Sequence, residues 1–148
     1  MLGKLARLSI LSIVISVLFV TQVSCLGDGT RPLPELRLTL IRLADEYIAS
    51  LANCNYAKLN SMLLWSSYLQ NNDSFRSKGD YLGAVRALCR DRDLRSKTFA
   101  NLELLDVQVK ESSAQLRFAK PGSRSSEHLR LTFFWTGSAW RITDDSIF

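Results

Sequence analysis

One histidine and three cysteines are the whole supply of soft metal ligands in this 148-residue chain. So few, and so scattered, they argue against a Cys/His metal site. His128 stands at the start of a predicted strand beside Glu127, with neither a nucleophile nor an orienting partner next to it. A catalytic base needs such a neighbour, so His128 reads as a surface strand residue. Acid is missing from the chain until Asp28, although Lys4 and Arg7 precede it. Those two belong to the 19 basic residues that face 14 acidic ones, and without them the basic count is 17. That excess is too small to argue for nucleic acid. There is no internal repeat and no low-complexity tract. No catalytic, metal-binding or cofactor-binding constellation stands out, and no cofactor is implied.

What is present begins with grease. Lys4 and Arg7 lead into residues 8–20, LSILSIVISVLFV, the proportions of a secretory signal. The uncharged stretch runs on to Leu26, nineteen residues in all, enough for a helix that just spans a bilayer. Ser9, Ser12, Ser16, Thr21, Gln22 and Ser24 dilute it, which favours a cleaved signal over a retained anchor. Cys25, following Val23 and Ser24, resembles the lipobox of bacterial lipoproteins. That resemblance implies an acylated Cys25 as the first mature residue, with each buried methylene contributing about 0.8 kcal/mol of anchoring. Leu26 behind it implies outer-membrane sorting. The alternative is ordinary cleavage between residues 24 and 27, with Cys25 incidental. Residues 1–24 are thus a signal peptide or membrane anchor, and residues 25–34, rich in glycine and proline, a tether.

From Glu35 the pattern turns helical. Leu36, Leu40, Leu43, Ala44, Tyr47, Ile48 and Leu51 recur at spacings of three and four, predicting a helix over residues 35–52. Pro34 and Glu35 suit its first turn. Asn53, Cys54 and Asn55 break the run. A second helix carries Tyr56, Leu59, Met62 and Leu63, capped by Asn55, with residues 65–70 as an extension. A third is expected over residues 80–89, capped by Asp80, with Tyr81, Ala84, Val85 and Leu88 inward. From Asn101 the period becomes two. Leu105, Val107 and Val109 alternate with polar residues, then residues 114–119 form a second strand with Leu116 and Phe118 inward. Residues 120–126 form a loop. Leu129, Leu131, Phe133 and Trp135 share one parity, and Trp140 and Ile142 repeat it beyond Thr136-Gly137-Ser138, which reads as an antiparallel hairpin.

Three helices followed by a four-stranded antiparallel sheet is an α+β order. That order, with the ending WTGSAWRITD, resembles the nuclear transport factor 2-like superfamily, the cystatin-like cone. The likeness covers residues 35–148, and Trp135, Gly137 and Trp140 occupy its closing hairpin. It implies a long first helix across a curved sheet that often encloses a cavity. Tyr47, Tyr56, Tyr81, Phe133, Trp135 and Trp140 are the candidates to line it, against the reading that they are core packing. Enzymes of this fold, such as ketosteroid isomerases and polyketide cyclases, use Asp, Tyr or His there. None of their catalytic residues matches a position here, and Asp106, Asp144 and Asp145 read as solvent-facing by parity or end position.

Two further features carry chemistry. Cys54 and Cys89 are an even pair, either a disulfide in an oxidising compartment or two separate small hydrophobes. Residues 76–97 hold seven basic residues against three acids, with Arg86, Arg90, Arg92 and Arg95 as the candidate basic patch. It reads either as a surface for an anionic partner or as a solvated helix end. The leading expectation is a non-catalytic, membrane-tethered periplasmic module with a protein partner. The alternatives are a small-molecule or enzymatic cone domain, and a secretion-system inner-membrane component that keeps its anchor.

Overall fold

The computed structural model describes residues 33–123 and 129–148. The signal, Cys25, most of the tether and His128 lie outside these residues. Helix α1, Leu33–Ala52, starts two residues ahead of the expected Glu35, with Pro34 and Glu35 in its first turn. Its apolar stripe buries Leu40, Ala44, Tyr47 and Leu51 completely. The helix ends in a Schellman pattern, in which Asn55 N–H donates to Ser50 O at 2.8 Å and Cys54 N–H to Leu51 O at 3.2 Å. Cys54 occupies the left-handed position of that motif, φ +58°, where glycine is the usual residue.

Among the described residues five helices precede the sheet, where three were expected. Helix α2, Tyr56–Met62, is capped by Asn55 Oδ1, which accepts from Lys58 N at 3.1 Å. It does not run on into residues 65–70. Leu63 is extended and forms a parallel bridge to Ile142, and Leu64 N–H donates to Ile142 O at 2.8 Å. The chain thus interrupts its own helix to touch the sheet, and α3, Trp65–Asn71, starts afresh. Helix α4, Lys78–Arg90, begins before Asp80 because Ser77 is the cap, its Oγ accepting from Asp80 N at 3.2 Å. The carboxylate of Asp80 turns back to accept from Arg76 N at 3.1 Å. Helix α5, Arg92–Phe99, is capped by Asp91, which accepts from Leu94 N at 2.8 Å. No residue of α5 is buried, so apolar periodicity could not announce it.

Strands β1, Glu103–Lys110, β2, Ser113–Ala119, β3, Leu129–Trp135, and β4, Trp140–Asp145, form an antiparallel meander in the order β1-β2-β3-β4. Val107, Ala114, Leu116, Phe118, Leu129, Leu131, Phe133 and Ile142 join the helical residues in one apolar core. Two bulges break the alternation. Leu104 faces Phe118 and Asp106 faces Arg117, so Leu105 is the extra residue and is 52% exposed instead of inward. In β4, Thr132 faces Asp144 while Phe133 faces Ile142, which leaves Thr143 as the extra residue. The closing turn sits on Gly137, φ +91°, with Thr136 N–H donating to Ala139 O at 3.0 Å. Trp135 and Trp140 face each other across it, ring centroids 5.7 Å apart. Residues Pro34–Phe148 form one compact unit. No helix among the described residues is long and apolar enough to cross a membrane.

Candidate functional site

The Thr143 bulge decides where the one acid buried among the described residues goes. Ile142 points into the core, and without a bulge the alternation would send Asp144 in and Asp145 out. One extra residue reverses this. Asp144 turns to the outer face, where Arg130 Nη2 holds it at 3.2 Å, and Asp145 turns under the helices, 3% exposed. The expectation of a solvent-facing Asp145 is therefore corrected.

Three helices each bring a phenol to the cluster around that carboxylate, and two of the phenols reach it directly. Tyr47 of α1 donates to Asp145 Oδ2 at 2.6 Å, and Tyr68 of α3 donates to the same oxygen at 2.8 Å. Tyr81 of α4 lies 2.9 Å from the Tyr47 oxygen. Tyr47 has one proton and spends it on Asp145, so Tyr81 is the donor to Tyr47. Ile147 N–H closes the set, donating to Asp145 Oδ1 at 2.9 Å. Burial is the largest influence on Asp145 and pushes its carboxyl above the usual range, against the lowering by Tyr47, Ile147 N–H and Tyr68. The phenols of Tyr47, Tyr68 and Tyr81 are all raised, chiefly by burial, and the nearby Asp145 charge adds to this. Aromatic rings wall the cluster. Phe75 stacks on Tyr68 with centroids 6.4 Å apart, while Trp65, Phe75 and Phe148 meet Tyr81 edge-on at 5.4, 5.5 and 5.6 Å.

An acid under phenolic hydroxyls is a group that can polarise a carbonyl or shuttle a proton. Here its oxygens are spent on its neighbours, and all three tyrosines are fully buried. Of the six aromatic residues singled out from sequence, Tyr47 and Tyr81 meet in this cluster. Phe133 is buried in the core beside Ile142, Tyr56 is half-buried at the start of α2, and Trp135 and Trp140 pair at the hairpin tip. Tyr68 was not singled out, and Asp145 was named only as a solvent-facing carboxylate. Tyr68 had a faint signal, three residues after Trp65, while the position of Asp145 depends on a bulge that carries no mark in the sequence.

Cys54 and Cys89 are joined in a disulfide, Cα atoms 6.0 Å apart, which ties the end of α1 to the last turn of α4. The four candidate arginines divide. Arg95 Nη1 donates to Cys54 Sγ at 2.9 Å and to Cys89 O at 2.9 Å. Arg86, Arg90 and Arg92 are exposed, and among the described residues none of them makes an ion pair. The outer face of the sheet is polar. It carries the Arg117–Asp106 and Arg130–Asp144 pairs, and a shallow depression of about 210 Å³ bordered by Gln108, Lys110, Gln115 and Thr132. Among the described residues no cluster of His, Cys, Asp and Glu could hold a metal ion. Compared with known protein families, with curated proteins and with solved structures, the chain matches none.

Proposed function

We propose that the chain is a non-catalytic interaction module, tethered to a membrane and facing the bacterial periplasm, on a nuclear transport factor 2-like domain. The observation that carries the non-catalytic part is the closure of the Asp145 cluster. The groups best suited to chemistry are 3% exposed or less and satisfy one another. A substrate would have to displace core packing to reach them. The order of elements and the paired tryptophans support the superfamily reading. The basic n-region, the apolar run and Cys25 support the tether.

Binding then falls to the outside, where Arg86, Arg90 and Arg92 on α4 and α5 offer unpaired positive charge to an acidic partner. Intact mass of the membrane-extracted protein tests the tether. A mature chain that begins at an acylated Cys25 is expected, and an unprocessed Met1 would leave only the retained-anchor alternative. Partner capture should weaken with salt and with the double reversal Arg86→Glu, Arg90→Glu. Capture that ignores both would remove the basic face from this reading.

A further inference from the structure

The Cys54–Cys89 bridge is electrically lopsided. Arg95 sets one nitrogen 2.9 Å from Cys54 Sγ and fixes it there by a second bond, 2.9 Å long, to the Cys89 carbonyl. The guanidinium comes from the first turns of α5, so its aim is built into the helix pair. A disulfide sulfur is a weak acceptor that gains little from a cation, whereas a thiolate gains a great deal. The contact therefore favours the reduced form, and it does so at Cys54. Among the described residues no donor reaches Cys89 Sγ. Cys54 is also held in the left-handed conformation, φ +58°. Both cysteines are half-buried.

We propose that this bridge is a directional thiol-exchange site for a dithiol reductant, with Cys89 as the sulfur attacked and Cys54 as the leaving thiolate. The incoming thiolate forms a new S–S bond to Cys89 Sγ. The electron pair of the broken bond departs on Cys54 Sγ, beside Arg95. The second thiolate of the reductant then attacks its own sulfur in the mixed disulfide, and Cys89 leaves and takes a proton from water. The reductant ends as a disulfide, and the protein holds two electrons and two free sulfurs. A lower leaving-group proton affinity speeds the first step, and Arg95 lowers it by direct contact with the leaving sulfur. This goes beyond the interaction-module reading and does not depend on it.

The test uses the full oxidised chain in detergent, with reduced glutathione as the probe. After an acid quench, peptide mapping should place the glutathione adduct on Cys89. Arg95→Gln should slow adduct formation about three- to tenfold, while Arg95→Lys keeps most of the rate. In the reduced protein, alkylation of Cys54 should rise below the ordinary thiol value of about 8.5, and Arg95→Gln should move it back up. An adduct shared equally or found on Cys54 overturns the proposal, and so does an Arg95→Gln protein that exchanges at the wild-type rate. The adduct site is read on the unmutated, folded protein, so poor folding of a variant leaves that result intact.

Discussion

Asp145 keeps 3% of its surface in water and accepts two phenolic hydroxyls and a backbone amide. Its carboxyl is nevertheless raised, because desolvation outweighs the three hydrogen bonds. The native state therefore holds this proton to higher pH than the unfolded chain, where an aspartate titrates near 3.9. Stability from this residue is complete below that value and is lost as pH rises through the native one. Chemical denaturation across this range should show that decline in the native protein and a flatter profile in Asp145→Asn. An unchanged profile in the variant would assign the pH response elsewhere. Tyr47→Phe keeps the ring but removes a donor from a buried acid and the acceptor that Tyr81 uses. The expected cost is about 1.5–3 kcal/mol in urea denaturation. A loss below about 0.5 kcal/mol would mean that the cluster contributes little to stability.

At the scale of elements, helix α4 shows a mismatch between propensity and packing. Gly83 sits in mid-helix on an exposed turn, and a Cβ built there meets nothing within 4 Å. Glycine costs a helix interior roughly 0.5–1 kcal/mol relative to alanine, and no packing within the domain requires it. Gly83→Ala should therefore raise stability by about that amount, read as a higher urea midpoint with an unchanged slope. The opposite logic holds at Cys54, where a left-handed C′ position that suits glycine is occupied by the residue the bridge needs. The disulfide spans a separation of 35 residues. Replacing both cysteines by serine should cost about 3–4 kcal/mol on the chain-entropy account. A loss under about 1 kcal/mol would assign the joint between α1 and α4 to packing alone.

At the scale of the whole molecule, one apolar core among the described residues joins α1, α2, α3 and α4 to the inner face of the meander. Leu116 and Leu131 lie fully buried at its centre, on adjacent strands. Leu116→Ala should cost about 2–5 kcal/mol in a single cooperative transition, and a loss confined to a separate transition would argue against one core. The inward sets of α1, α4 and the last hairpin were legible because helix and strand periods register burial directly. Leu40, Tyr47, Val85, Leu131 and Phe133 all lie where their spacing put them. The class of fold followed from the order of those periods. Three placements were not legible, and each depends on a partner distant in sequence. Leu63 leaves the helix to bridge Ile142, Leu105 is squeezed out opposite β2, and Thr143 bulges opposite β3. Local pattern determined which residues this protein buries. Only the pairing of strands, one residue out of step at Thr143, decided that the buried set would include an acid under three tyrosines.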